Sequence, residues 1–202
     1  MRIHLLRHGQ TVAEMHFDPA LGMPNPPLAA TGIRQAELLG QRLRSVELEA
    51  LYSSDLLRAV ETAQRIQAHV PAPLHLRPEL REISMGAIPT QGWEAFPEIH
   101  REWLKHETDV PYPGGESGRD VQRRAGAVLT EILERHQGEV ALVTHGGVIM
   151  VLVTACMGIG QERRFRLVAP ANCSISTLLY DPVAGPWRIE RYNDTAHLSG
   201  ET

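Results

Sequence analysis

Apolar positions along the chain alternate between short runs, which read as buried strands, and stripes at helical spacing. Ile3 to Leu6 is a short apolar run that delivers Arg7-His8-Gly9 at its C-terminal end. Thr31 reads as the cap of a helix with Ala36, Leu39, Leu43 and Val46 on one face. Ala50 to Ser53 reads as a strand leading into a helix from about Leu56 to His69, and Leu74 to Leu76 as a further short strand. Ser117 or Asp120 opens a long helix with Val121, Ala125, Val128, Leu129 and Ile132 inward, ending near Gly138. Val140 to Val143 is the clearest buried strand, stopping at Thr144-His145-Gly146-Gly147, and a helix follows from Val148. Strands at Ser174 to Tyr180 and Trp187 to Tyr192 complete the pattern, and Thr195 to Thr202 reads as a loose tail.

Two stretches break the alternation. Met23-Pro24-Asn25-Pro26-Pro27 reads as a loop, because prolines at this density cannot join a regular ladder. From Gly86 to Gly118 the composition shifts, with Pro89, Pro97, Pro111 and Pro113 punctuating a stretch that holds Trp93 and Trp103. It reads as an insertion at about 86–118 carrying a short helix from Trp93 to His106, within a single domain spanning 1–202. The whole pattern predicts an α/β fold, a three-layer α/β/α sandwich with a mostly parallel central sheet. In such sheets ligands bind beyond the carboxyl ends of the strands. Three polar clusters converge there: Arg7-His8-Gly9, Ser53-Ser54-Asp55 with Arg58, and His145-Gly146.

Composition narrows the function. The 20 Lys and Arg against 24 Asp and Glu give a formal charge of −4, so the basic balance of a non-specific nucleic-acid binder is missing. Lys105 is the only lysine and follows Leu104, which removes the phosphate-binding loop that needs a lysine after glycine. Cys156 and Cys173 form neither a disulfide framework nor a cysteine metal site. The run from Val148 to Gly160 is about 13 residues, short of the ~20 a membrane span needs. Charge interrupts the N-terminus too early for a secretory signal, and a cytoplasmic location is expected.

Each cluster has an ordinary reading beside a chemical one. Arginine offers a planar fork suited to phosphate oxygens, and histidine a lone pair near neutral pH; a strand-end Arg-His is otherwise a surface pair. Arg58 lies in the first turn of its helix, where the macrodipole disfavours a cation, so either a bound anion or pairing with Asp55 or Glu61 must compensate. Arg65, further along, reads as an ordinary surface pair. His145 ends a buried strand, and Gly146-Gly147 leave room for a ligand against the next helix; a satisfied core histidine is the alternative. Glu82 on spacing alone reads as a solvated carboxylate.

The ordered series Leu6-Arg7-His8-Gly9-Gln10-Thr11, Pro27-Leu28 with Thr31-Gly32 and Gln35-Ala36, Ser53-Ser54-Asp55-Leu56-Leu57-Arg58-Ala59 with Glu61-Thr62-Ala63, Leu80-x-Glu82 with Gly86, Pro113-Gly114-Gly115-Glu116-Ser117, and Val143-Thr144-His145-Gly146 resembles the histidine phosphatase superfamily, of phosphoglycerate mutase-like fold. The resemblance implies that His8 is a nucleophile forming a phosphohistidine, that Arg7, Arg58 and His145 clamp the phosphate, and that Glu82 donates the proton. Gln10, Thr11 and Gly146 complete the implied phosphate-binding set. No metal or cofactor is implied. The expected activity is metal-independent hydrolysis of a small phosphomonoester, with a phosphoglycerate mutase-type transfer, or a phospho-ligand binding module that has lost turnover, as the alternatives.

Two departures from the family pattern carry expectations. Glu14 stands where an asparagine near the phosphate is frequent, and a carboxylate would repel that anion, so Glu14 is expected to point away or to meet a substrate group. Gly86-Ala87-Ile88-Pro89 lacks the family's W-E-G, which points to a remodelled substrate wall. In this fold the segment after the acid, here Ala87 to Tyr112, forms a lid; its Trp93, Phe96, Ile99, Trp103 and Tyr112 either line an apolar pocket or pack as core. Its cations Arg101 and Lys105, with Arg119, are outnumbered by Glu94, Glu98, Glu102, Glu107 and Asp109, which disfavours a bisphosphate and hence a mutase. A serine hydrolase fails because Arg119 stands where the nucleophile elbow needs glycine. A metal site from His4 and His8 fails because their i,i+4 spacing suits a helix rather than a strand. Strand Ser174 to Tyr180 is either an edge pairing across a homodimer or a covered edge.

Overall fold

The computed structural model describes residues 1–14 and 16–199. Its main sheet is built from β1 (Arg2–Arg7), β4 (Leu48–Ser53), β5 (Leu74–Leu76), β6 (Glu139–Thr144), β7 (Ile175–Asp181) and β8 (Gly185–Asp194), in the order β5-β4-β6-β1-β7-β8. The first four in that order run parallel, and β7 and β8 are added antiparallel. A small hairpin pairs β2 (Phe17–Asp18) with β3 (Met23–Pro24), so the stretch expected to be loop from Met23 to Pro27 opens with a two-residue strand, where the short ladder tolerates a proline.

Alternation within the strands assigns the layers. Ile3 and Leu5 of β1 and Val140 and Leu142 of β6 pack under α5 (Gly118–Arg135) and α6 (Gly146–Cys156). Leu6, Ala141 and Val143 point to the other face, under α1 (Ala30–Leu43) and α2 (Leu57–Gln67). The α/β/α sandwich therefore follows from the period-two pattern of the strands and the helical stripes that cover both faces. Helix α6 is buried from Val148 to Thr154 because it lies in the core. Among the described residues no helix is long and apolar enough to cross a membrane.

Register then places the chemistry. Arg7 pairs with Thr144, and Ser53 with Val143, so β1, β4 and β6 end level with one another and release their polar termini on one edge.

Several local expectations change. Helix α1 begins at Ala30 after Ala29 in extended conformation, with no side-chain cap, so Thr31 lies inside the helix. The expected helix from Trp93 to His106 is a 3-10 turn at Trp93–Ala95 followed by α4 (Pro97–Trp103), preceded by α3 (Ile88–Gln91), because Pro97 restarts the chain at a helical N1 position. Ser117 and Asp120 together form a capping box on α5, each accepting from the other's backbone N–H. Strand β7 is not an edge, since β8 covers it; the edges are β5 and β8. The tail is tied down as far as Leu198, which packs on the α1/α2 layer from a 3-10 turn at Ala196–Leu198, while 200–202 lie outside the described residues.

The loop after β1 crosses the start of α1 at a distance that only glycine permits. A Cβ on Gly9 would sit 2.5 Å from the Gly32 carbonyl oxygen, and one on Gly32 would fall on the Gln10 carbonyl. Both obstacles are backbone and cannot rotate away. Gly126, in the interior of α5, has open space around its Cβ position. Gly32→Ala is expected to lower unfolding stability by about 1–3 kcal/mol through overpacking, and Gly126→Ala to raise it by roughly 0.5–1 kcal/mol through helix propensity. Urea denaturation of both variants checks the pair; a neutral Gly32→Ala contradicts the close crossing.

Candidate active site

His8 follows the last residue of β1 and is 7% exposed. Its Nδ1 lies 2.8 Å from its neighbour's carbonyl, Gly9 O. That carbonyl can only accept, so Nδ1 carries the proton and Nε2 keeps its lone pair. Arg58 Nε donates to Nε2 at 3.3 Å, the arrangement of a neutral imidazole acceptor. Burial, then the charges of Arg58 and Arg7, push the His8 pKa down to about 3.

The cations around it are held by carbonyls rather than carboxylates. Arg58 Nη1 donates to Pro24 O at 3.2 Å, and Arg7 Nη1 to Pro170 O at 2.5 Å. Neither alternative for Arg58 forms: Asp55 takes a two-pronged bond from Arg81 at 2.7 and 2.5 Å, and Glu61 accepts from Leu28 N at 2.7 Å. Arg65 does make the ordinary surface pair, with Glu37 at 3.2 Å. His145 caps α6 and is fully buried, with Nε2 2.9 Å from Ser54 Oγ and its ring centroid 5.0 Å from that of His8. Burial, followed by the charges of His8, Arg58, Arg124 and Arg7, drives its pKa well below the ordinary range. Arg7 Nε and His145 Nδ1 are buried and have no hydrogen-bond partner in the protein. Orphan polar atoms at such a site mark a place for a polar ligand.

Glu82 faces the same space. Its Oε1 accepts from Ile83 N at 2.9 Å, and its Oε2 from Gly147 N at 3.1 Å in the first turn of α6. Gly147 is the glycine that makes room here, since a Cβ there would lie 2.5 Å from Glu82 Oε1; a Cβ on Gly146 would meet Arg7 Nε at an ordinary 3.5 Å. The Glu82 backbone is fixed from below by Arg124 on α5. That guanidinium donates to the carbonyls of Glu79, Arg81 and Glu82 at 2.6, 2.7 and 3.2 Å and grips Glu116 through two nitrogens at 2.7 and 2.8 Å.

Glu82, Arg58 and Thr11 share a cavity of about 230 Å³. Gln10 is not drawn in: its side chain is exposed, and its backbone is tied to Gln35 and Ala29. Glu14 points away, its side chain 82% exposed and its nearest charged partner His16. Trp93, Trp103 and Tyr112 of the 86–118 segment form a cluster of their own, with Tyr112 stacked on Trp103 at 4.0 Å and Arg164 over both Trp103 and Phe165. None of them lines this cavity, whose outer walls come instead from Met23, Pro24 and Pro26 and from Ile83, Met85 and Pro89. Larger concavities, of about 580 Å³ near Met1 and Gly138 and about 730 Å³ between α5 and α6, contain no such convergence of buried imidazole and guanidinium.

Residues given no role from the sequence support the site. Asn172 Nδ2 donates to His8 O at 2.9 Å, and Cys173 N donates to Arg7 O at 3.1 Å from a left-handed backbone at φ 53. Thr62 Oγ1 accepts from Gly9 N at 3.0 Å while donating to Arg58 O at 2.7 Å. A non-glycine residue held left-handed beside a buried cluster is a signal only coordinates supply.

The family model described as histidine phosphatase superfamily (branch 1) matches residues 3–195. The chain belongs to the histidine phosphatase superfamily. A probable phosphoglycerate mutase of Yersinia enterocolitica is 35% identical over 98% of this chain and 95% of that protein. Among solved structures, Bacillus stearothermophilus YhfR superposes with a TM-score of 0.82 at 29% identity, covering 98% of each chain. A mycobacterial glucosyl-3-phosphoglycerate phosphatase in complex with VO3 superposes at 0.80 with 26% identity, covering 96% of this chain and 99% of that one.

In this histidine phosphatase superfamily member the neutral state of His8 has a stability consequence. The unfolded chain protonates its histidines near pH 6.5 while folded His8 stays neutral to about 3, so between these limits the unfolded state binds the extra proton and stability falls as pH falls. His8→Gln is expected to remove on the order of 2 kcal/mol of the loss between pH 7 and pH 5. Unfolding titrations of both proteins at the two pH values check this, and identical pH dependence contradicts it. Arg124→Ala, which strands three carbonyls and Glu116, is expected to cost about 3 kcal/mol or more by the same measurement.

Proposed function

We propose that this protein is a phosphoric monoester hydrolase of histidine acid phosphatase type that works through a phosphohistidine at His8. The observation that carries the reading is the His8 tautomer: Nδ1 is spent on Gly9 O, and Nε2 keeps its lone pair, accepting only a long bond from Arg58 Nε in a buried, cationic setting. The phosphoryl group of a small phosphorylated metabolite sits between Arg7, Arg58 and His145, whose unpartnered Arg7 Nε and His145 Nδ1 supply donors to its oxygens. His145 Nε2 lies 2.9 Å from Ser54 Oγ, a hydroxyl able to donate to it, and in that arrangement the proton sits on Nδ1, the tautomer this role requires. Thr11 and the backbone at Gly146 border the same group.

His8 Nε2 attacks phosphorus, and the bond to the ester oxygen breaks with its electron pair on the leaving oxygen. Glu82 gives that oxygen a proton. Water then attacks the phosphohistidine and loses a proton to the Glu82 carboxylate, while the P–N bond breaks and returns its pair to His8. Inorganic phosphate departs. Charge spread over the equatorial oxygens in such a transfer is met by fixed donors already desolvated in the ground state, so little reorganisation remains to be done at the transition state. No step calls on a metal or a cofactor.

The mutase reading has the name of the Yersinia relative behind it. Against it, the cations of the 86–118 segment and its flank lie on the surface, Lys105 paired with Glu102 at 2.6 Å and Arg119 against Asp109 and Glu162, rather than over the cavity. In this reading the segment, which lines the cavity through Gly86 and Pro89, serves as its lid within a single domain spanning 1–202.

Phosphate release from a panel of monoesters with chelator present, including 3-phosphoglycerate monitored for isomerisation, tests the reading. Release is expected to persist with chelator and to drop by about 10³-fold or more in His8→Ala. Isomerisation without release identifies a mutase, and phosphate binding without turnover identifies a binding module. Glu82→Gln is expected to slow alkyl esters by about 10²–10⁴-fold and 4-nitrophenyl phosphate far less, because nitrophenolate leaves without a proton; equal losses on both contradict the assigned proton donor.

A further inference from the structure

The cavity beside Glu82 is divided by chemistry. Its inner end holds Arg58, Glu82 and Thr11; the side chains on the rest of its wall are those of Met23, Pro24, Pro26, Ile83, Met85 and Pro89, none of which can donate a hydrogen bond or carry charge. Two separate stretches of chain build this apolar half, strand β3 with Pro26 just beyond it and the segment that follows Glu82, and both present it to the same space.

The geometry points to a leaving-group site for small, uncharged, apolar alcohols, aryl or arylalkyl in preference to hydroxy acids and bisphosphates. The inference rests on the phosphomonoesterase reading for the identity of the inner end. Three observations carry it. First, among the described residues no second cation is on offer to a second anionic group: Arg58, the one cation in the lining, is assigned to the phosphoryl group, Arg81 is held two-pronged by Asp55, and Arg124 is saturated by Glu116 and three carbonyls. Second, a carboxylate on the leaving group would lose its water among side chains that cannot donate a hydrogen bond to it, in the small cavity it shares with the Glu82 carboxyl. Third, about 230 Å³ is below the ~300–1,000 Å³ of sites for drug-sized ligands, so the guest is of the order of one substituted ring. Met23 and Met85 on the two walls suit an aromatic guest, since thioethers adapt their shape and contact ring edges favourably.

The test compares benzyl, 4-isopropylbenzyl and 4-carboxybenzyl phosphates, whose leaving alcohols are chemically alike while the last two differ in charge at similar size. Binding of the corresponding benzylphosphonates, which cannot be hydrolysed, is measured by calorimetry in parallel. The two apolar esters are expected to exceed the carboxylate in kcat/KM by at least about tenfold, with the phosphonate affinities in the same order. Met85→Lys, and Met23→Lys as an independent variant from a separate stretch of chain, are expected to narrow that gap by about tenfold or more, read as the ratio of isopropyl to carboxyl compound within each variant so that any general gain in anion binding cancels. Equal kcat/KM and equal affinity for the isopropyl and carboxyl compounds overturn the inference, as does failure of every benzylphosphonate to bind more tightly than inorganic phosphate. Phosphonates that bind in the expected order to a protein showing no His8-dependent turnover support the pocket assignment and overturn the hydrolase reading instead.

Discussion

The structure turns on burying two guanidinium groups and two imidazoles together without giving them carboxylate partners. Such a cluster is costly, because desolvated charge must be met by something. Here the answer is twofold. Backbone carbonyls of Pro24 and Pro170 take one arm of each arginine, and both imidazoles are driven neutral, which lowers the repulsion to a level the fold can hold. Carbonyl partners have a functional merit over carboxylates: they orient a guanidinium without cancelling its charge, so the attraction for an anion survives. The cost of assembling the cluster and the attraction it holds for an anion are two expressions of the same electrostatics.

Holding that cluster shapes the surrounding fold. The parallel register of β1, β4 and β6 brings Arg7, Ser53 and Thr144 to one edge, and the crossing of Gly9 over Gly32 fixes where the chain leaves β1. Carboxylates are kept at a distance by being occupied. Asp55 and Glu61, the acids nearest Arg58 in the sequence, are bound to Arg81 and to the Leu28 amide. Glu82 is the exception, drawn into the cavity by two backbone amides, one from the start of α6, and by the grip of Arg124 on the chain around it.

The 86–118 segment is anchored away from the chemistry. Arg164 and Asp109, 2.8 Å apart and both buried, join the end of the segment to the 3-10 turn at Gln161–Arg166, and Asp109 also accepts from Gly118 N at the start of α5. The stacked Trp103 and Tyr112 pack against this pair. With its large side chains committed there, the segment gives the cavity only its first residues. That division explains how a stretch rich in tryptophan borders a site whose walls are aliphatic.

Much of the arrangement was legible in the order of residues. Strand ends carrying Arg7-His8, Ser53-Ser54 and His145 are local features, and period-two and helical patterning placed them on a layered, mostly parallel sheet where they must converge. Arg58 could be singled out because a cation in a first helical turn breaks a local rule. The tertiary structure decided what depends on partners distant in sequence. It chose Pro24 over Asp55 as the partner of Arg58, made Arg124 and Asn172 supports of the site, sent Trp93, Trp103 and Tyr112 into a separate core, and built the cavity wall from residues of β3 and its flank together with the stretch after Glu82. Propensity and periodicity report a residue's own backbone and burial; which donor meets which acceptor across a fold is settled only when the packing of all layers fixes the distances.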